Sequence, residues 1–393
     1  MNAYLHELGI ACSLGSGAAD VARGLLAASE TDSVVVDAQW LDGRAPVGQV
    51  PARALDTVDL APGAGRTLRV LALAAQQLDV AVHRAVERHG AHRVGVVLGT
   101  STGGIHEAGQ AVAAQLRDGH FPAAYDYRHQ VLGQPAAWLV RRWALRGPCQ
   151  TIATACTSSA LALQSARRLL RLGVCDVVVC GGVDGLSDMS LHGFSALEAV
   201  APERCNPFSR QRRGINIGEG AALFLMSAEP APVALLAAAA GSDAYHMAAP
   251  RPDGEGARRT MQAALADAGL AAGDIDYLNL HGTATRQNDA MESRAVAALF
   301  PQGVPCSSTK PLTGHTLGAA GALEAAFCWL AIGRNPEGRL PPHRWDGHAD
   351  PELPALDFTT AASRLPTGKP RRLMSNSFAF GGSNACLILG DAT

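Results

Sequence analysis

The sequence predicts an α/β protein of layered sheets and helices in which one α/β unit occurs twice. Three observations predict it. Short apolar, β-branched runs recur at 93–99, 176–182, 221–226, 277–281 and 385–390, several ending in glycine; runs without polar alternation suit strands buried on both faces. Ala/Leu-rich segments of helical length lie among them at 66–89, 157–172, 255–268, 289–300 and 317–332, as an α/β architecture requires. A strand followed by Gly-Thr-x-Thr occurs twice, as Val96-Val-Leu-Gly-Thr-Ser-Thr102 and Leu278-Asn-Leu-His-Gly-Thr-Ala-Thr285.

Each copy then carries a reactive residue at a helix start. In the first, Cys156 precedes the 157–172 helix and a strand ending Cys180-Gly-Gly182; in the second, His315 precedes Leu317-Gly-Ala-Ala-Gly-Ala-Leu-Glu324. The duplication predicts that the two copies face each other and that this Cys and His meet at their interface. The Pro-containing stretch 228–232 and the turn at Gly241 put the join near 240, giving halves 1–240 and 241–393,. The Pro/Gly-rich stretch 334–354, with His343 and His348, lacks apolar periodicity and is expected to be a surface loop,.

With 393 residues, 48% of them hydrophobic, the chain can bury a large core,. A formal net charge of −2 argues against bulk nucleic-acid affinity,. No apolar run reaches the ~18–20 residues of a membrane span, and the start Met1-Asn-Ala-Tyr-Leu-His-Glu-Leu8 lacks signal-peptide character, so the expected compartment is the cytosol,. Nine cysteines show no C-x-x-C pair and no histidine-matched spacing, which suggests neither zinc nor a disulfide framework,. Only two of the 33 basic residues are lysines, Lys310 and Lys369. A lysine kept in so arginine-biased a chain, five residues before His315, suits a tight buried space where only a compact ammonium fits.

Three segments carry the chemistry: Thr154-Ala-Cys-Thr-Ser-Ser159, His281-Gly-Thr-Ala-Thr285 and Lys310-Pro-Leu-Thr-Gly-His315. Cys156, read at the first turn of a helix, has its thiol pKa lowered there and is the candidate nucleophile. His281 ends a strand and should project into a cleft, where Thr283 and Thr285 could hydrogen-bond an amide-rich arm such as pantetheine. Glu324 could pair with Lys310 as a buried orienting charge. The glycines of 376–384 can expose backbone N–H groups, so the amide of Phe380 could join that of Cys156 in an oxyanion hole. The loop Gly99-Thr-Ser-Thr-Gly-Gly104 has the look of a phosphate loop but lacks its G-K-[ST] ending, and reads as a tight turn,.

On these motifs, with Asn206-Pro-Phe-Ser-Arg-Gln-Arg-Arg-Gly214, Gly218-Glu-Gly220, Asp243-Ala-Tyr-His-Met247, Asn288-Asp289 and Ser377-Phe-Ala-Phe-Gly-Gly-Ser-Asn384 in the same order, the chain resembles the elongating β-ketoacyl-[acyl-carrier-protein] synthases, thiolase-like condensing enzymes, over nearly its whole length. The resemblance implies a duplicated thiolase-like fold with an α-β-α-β-α core. It implies decarboxylative Claisen condensation: Cys156 accepts an acyl group from acyl carrier protein, and His281 and His315 assist decarboxylation of a malonyl thioester. Lys310 and Glu324 orient the histidines, Thr283 and Thr285 hold pantetheine, and Phe380 gates the acyl pocket. No metal or organic cofactor is implied, although Asp289 and Glu292 are candidates for a structural cation. A dimer is implied, either of identical chains or with a second synthase-like subunit. The alternatives are a non-condensing chain-length subunit and a Cys-dependent acyltransferase.

The departures bear on substrate. Ser209 stands where the family usually has Asp, and 104–146, expected to line the acyl pocket and the dimer contact, is unlike housekeeping fatty-acid enzymes. These departures suggest a specialised elongase for a polyene or polyketide, such as an aryl polyene pigment. An acidic carrier needs a basic docking face, for which Arg66, Arg69, Arg210, Arg212 and Arg213 are the candidates, with Arg212 matching the family pattern best.

Overall fold

The computed structural model describes residues 3–27, 35–36, 45–60 and 64–392. Ten strands form its frame: β1 (Ala3–Cys12), β2 (Val94–Gly99), β3 (Cys149–Ile152), β4 (Val177–Asp184), β5 (Gly220–Ser227), β6 (Val233–Ser242), β7 (Tyr277–Asn279), β8 (Pro305–Ser307), β9 (Arg372–Phe378) and β10 (Ser383–Asp391). The first five run in the order β1-β5-β4-β2-β3 and the second five in the order β6-β10-β9-β7-β8. The pairings match step for step. In each half the first two contacts are antiparallel and the last two parallel. The duplication expected from the repeated turn is therefore present in topology. The halves join edge to edge through a short antiparallel seam, Ala3 against Leu235 and Tyr4 against Ala234, so the two sheets form one continuous sheet.

Helices complete the layers. Outside the first half pack α1 (Arg66–Ala75), α2 (Asp79–His89) and, beyond α3 (Ile105–Asp118), α4 (Gln134–Arg142); α1, α2 and α4 close one apolar cluster with β2, β4 and β5. In the centre lie α5 (Ser158–Arg171) and, after α6 (Asp188–Ala196), α7 (Glu255–Ala268) and α8 (Arg286–Leu299), the last long helix α9 (Ala320–Gly333). Both α5 and α9 touch strands of both halves and each other, while α7 and α8 cover the far face of the second half. Only one charge, Glu324, occurs in α9, and thirteen of its residues are buried. A helix apolar all round must lie inside.

Several expectations are corrected. The 66–89 segment is two helices, because a 3-10 turn at Gln76–Leu78 intervenes; the Gln77 side chain there ties β1 down through both peptide groups of Ile10 and also bonds the Leu73 carbonyl. The 334–354 stretch is not wholly a surface loop. His343 is buried, accepts from the Ser308 N–H, bonds the Pro207 carbonyl and stacks on Phe358 at 4.1 Å. Residue 240 falls within β6, the opening strand of the second repeat.

Candidate active site

Cys156 and His315 stand before the two equivalent central helices, α5 and α9, so the duplication itself brings them together. His315 Nε2 lies 3.0 Å from Cys156 Sγ, both buried. Cys156 is not in the first turn of α5; Thr157 is the cap and Ser158 the first helical residue, so the cysteine sits one step outside, after Ala155 in the left-handed region at φ 52°. Such strained backbone is held where surrounding structure over-determines it. The expected lowering of the thiol pKa is also corrected: burial pushes Cys156 up to about 12, and the Lys310 ammonium and a hydrogen bond from the Phe380 backbone N–H oppose this without cancelling it. At rest Cys156 is a neutral thiol whose proton has one acceptor at hand, His315 Nε2.

His281 follows β7, and its ring stands edge-on to that of His315, centroids 5.2 Å apart. Lys310 Nζ lies 3.5 Å from His281 Nδ1 and 2.5 Å from Glu324 Oε1. An ammonium can only donate, so Nδ1 of His281 accepts and its proton resides on Nε2. Burial first, then the Lys310 charge and the neighbouring His315, hold His281 well below its usual pKa; burial and Lys310 do the same to His315. Both rings are neutral at pH 7, one positioned to take a proton and the other to give a hydrogen bond. The Glu324 carboxyl is raised by burial against the pull of Lys310. Lys310 and Glu324 thus meet as expected.

The ligating atoms of Cys156, His281 and His315 lie within 4.8 Å of one another. The set does not suit a resident zinc. A zinc-bound imidazole needs an acceptor on its other nitrogen, and His281 has an ammonium there. Asp289 and Glu292 do not suit a cation either. Asp289 accepts from the N–H groups of Phe208 and Ala284, and Glu292 from those of His281 and Gly282 at 2.8 and 2.7 Å. Burial raises them to about 6 and about 7, with these bonds opposing. Their work is to fix the backbone around His281.

A cleft of about 310 Å³ opens over Cys156, His281 and His315, lined also by Thr283, Thr285 and Phe380. Thr283 Oγ1 is 3.0 Å from Thr285 Oγ1, and Thr285 caps α8. Phe380 is 40% exposed, its ring 5.7 Å from that of Phe194, a residue that sequence reasoning missed. His246 of the Asp243–Met247 motif lines the same cleft. The phosphate-like loop 100–104 is also explained: its N–H and hydroxyl groups enclose the carboxylate of Asp184, at the end of β4. Asp184 carries no motif of its own and was not singled out.

The basic candidates divide. Arg212 is buried in an ion pair with Asp350 and cannot present its charge to a partner. Arg66 clasps the buried Glu219 through two bonds, and Arg69 shares with it a separate polar cavity containing Glu107 and Asp188. Arg210 and Arg213 are exposed. Arg213 and the exposed Arg286, not singled out before, line a second cavity that shares Leu197, Ala199, Thr285 and Gln287 with the cleft.

Comparison with known proteins gives one answer. Residues 65–231 match the beta-ketoacyl synthase N-terminal domain and 233–343 the beta-ketoacyl synthase C-terminal domain. Nodulation protein E of Rhizobium meliloti is 36% identical over 327 residues, 78% of this chain and 80% of that protein. The 3-oxoacyl-[acyl-carrier-protein] synthase 2 of Rhizobium meliloti (strain 1021) is 39% identical over 274 residues, 63% of this chain and 62% of that protein. A solved ketosynthase (ApeO), in complex with its chain length factor (ApeC) from Xenorhabdus doucetiae, superposes with a TM-score of 0.87 and 39% identity, covering 100% of this chain and 98% of that one. With its duplicated sheet and its Cys-His-His cleft, the chain belongs to the beta-ketoacyl synthase family.

Proposed function

We propose that the chain condenses an acyl group carried on Cys156 with malonyl-acyl carrier protein, and that Cys156, His281, His315 and Lys310 perform the chemistry. The observation that carries this is the division of labour in the cleft: a neutral imidazole 3.0 Å from the thiol and a second imidazole oriented by Lys310. In acyl transfer, Cys156 Sγ bonds the acyl carbonyl carbon as its proton passes to His315 Nε2 and on to the departing carrier thiol. In decarboxylation, the malonyl C–CO₂ bond breaks, CO₂ leaves, and the electron pair enters the thioester as an enolate, to whose oxygen His281 Nε2 donates. The enolate carbon bonds the acyl carbon, and the N–H groups of Cys156 and Phe380 receive the oxyanion. The C–S bond to Cys156 then breaks, and the thiolate takes a solvent proton through His315.

Thr283 and Thr285 suit the pantetheine amides, and Phe380 over Phe194 suits a gate. We place carrier docking at Arg213 and Arg286 rather than Arg212: all three line the cavity that adjoins the cleft, but Arg212 is buried in its ion pair with Asp350 whereas Arg213 and Arg286 are exposed. The halves divide at 232, ahead of β6, rather than at 240. From ApeO and its chain length factor we carry over a second synthase-like subunit as partner, while a polyene or polyketide product rests on the departures at Ser209 and 104–146. No helix among the described residues is long and apolar enough to cross a membrane. The cytosol suits a nucleophilic thiol that must stay reduced.

The test is intact-protein mass spectrometry of wild type and Cys156→Ala with a panel of acyl carrier protein thioesters, followed by malonyl carrier protein. Acyl mass on wild type alone, then its loss with CO₂ and a product two carbons longer, is expected. Acylation without CO₂ release would replace condensation by plain acyl transfer. No acylation, with or without an added synthase-like subunit, would leave a chain-length subunit.

A further inference from the structure

We infer that Asp184 is a positioning residue that sets the aim of His315 from the opposite half of the molecule; this rests on the role given to His315 above. Beyond the Cys156 thiol that it serves at Nε2, the His315 ring has no side-chain anchor: no group among the described residues meets its buried Nδ1. What aims the ring at the thiol is therefore its backbone. On one side that backbone is bonded to the segment ahead of β5, with the His315 N–H donating to Asn216 and the His315 carbonyl accepting from Gly218. On the other side the chain passes through Leu317, in the left-handed region at φ 51°, to Gly318, whose N–H donates to Asp184 Oδ2 at 2.6 Å.

Asp184 is wholly buried and has no cationic partner among the described residues. Its carboxylate is satisfied by the hydroxyls of Thr100, Ser101 and Thr102, the N–H groups of Ser101 and Thr102, and Gly318. Five of these six donors come from the loop after β2; the sixth comes from the second half, three residues beyond His315. A carboxylate held by so many donors is a rigid anchor, and Gly318 fits against it closely, since a Cβ there would lie 2.7 Å from Asp184 Oδ2. The phosphate-like loop thus serves as a socket through which one half of the duplicated fold fixes an imidazole supplied by the other.

The experiment is a double-mutant cycle on single-turnover condensation, with acyl- and malonyl-loaded carrier and product read by mass spectrometry. Asp184→Asn keeps the volume but turns an amide donor toward a ring of donors. Acting through His315, it should slow condensation about tenfold or more in the wild-type background, with apparent KM for carrier within about twofold, and cost nothing further in His315→Ala. An equal loss in both backgrounds, or no loss in a folded protein, overturns the inference. If Asp184→Asn does not fold, Ser101→Ala decides by the same pair of readings, because it removes one donor to Asp184 and the hydroxyl that also accepts from Gly318. His315→Ala at full rate would overturn the reading of the cleft and this inference with it, whereas a slow His315→Ala with no coupling to Asp184 overturns this inference alone.

Discussion

At the scale of single residues, the site depends on where charge is withheld. Burial keeps thiol and imidazoles neutral, and the ammonium of Lys310 pushes both rings further from protonation. Removing that charge should raise both imidazole pKa values. In Lys310→Met with Glu324→Gln, which avoids stranding a buried carboxylate, the acid limb of kcat/KM should therefore move to higher pH. A pH–rate profile checks this; an acid limb that stays or moves down overturns it. The thiol gives a second prediction. With Cys156 pushed up to about 12, its alkylation by iodoacetamide should climb with pH up to 9 without a plateau, measured by mass spectrometry. A plateau below pH 8 would mean a thiolate stabilised in a way this geometry does not provide. The candidate reacting residues were legible because their types and neighbours are unusual: a cysteine before Thr-Ser-Ser, a rare lysine five residues before the histidine of a Gly-His pair. Asp184 was not, because a carboxylate becomes an anchor only when a distant loop closes around it. Arg212 misled for the complementary reason, since sequence shows a charge and not the Asp350 that covers it.

At the scale of elements, the helices and the strands of branched apolar residues could be read, and the rest could not. The run Val233-Ala-Leu-Leu-Ala-Ala-Ala-Ala-Gly-Ser242 has helical propensity yet forms β6, because β10 on one side and the seam with β1 on the other demand a strand there; tertiary context overrides local preference. Short strands such as β3 and β8 are too brief for periodicity to mark. The small residues of α5 and α9 carry a meaning that sequence left open. At their crossing, a Cβ on Gly321 would lie 2.7 Å from the Ala160 Cβ and 2.9 Å from its backbone nitrogen. Gly321→Ala must then move α9 off α5, separating Cys156 from His315. Overpacking of this kind costs about 1–3 kcal/mol. The expected result is a lower urea midpoint together with slower acylation of Cys156, and an unchanged midpoint with unchanged acylation would show that the crossing has slack.

At the scale of the whole molecule, buried titratable groups couple the fold to pH in opposing directions. Asp289 and Glu292, raised to about 6 and 7, withdraw stability as pH rises above their unfolded values, whereas His343, lowered to about 4 by burial, withdraws it as pH falls from about 6.5 toward 4,. Comparison of wild type with His343→Gln isolates the second effect. Wild type should lose up to about 1.4 kcal/mol per pH unit more than the variant across that window in urea unfolding, and parallel curves would refute it. The other global property is an open edge. The carbonyls of Pro148 and Ile152 accept from Val96 and Thr100 of the β2 side, so by strand alternation the peptide groups of Cys149 and Thr151 face outward from β3, the edge of the sheet,. In the same half of the sequence Val112, Leu116, Phe121, Tyr127, Val131 and Leu132 are exposed, Leu116 at 82%. An edge unpaired among the described residues, together with exposed apolar side chains in the same half, favours strand addition by a second chain, in accord with the partner subunit proposed above. Thr151→Pro removes an outward N–H while leaving the inward bonds of β3 intact. Sedimentation should show a dimer for wild type, alone or mixed with its synthase-like partner, and a monomer for Thr151→Pro with its circular dichroism unchanged. A variant that still dimerises would place the interface on another face, and condensation by a monomeric variant at the wild-type rate would show that the cleft needs nothing from its partner.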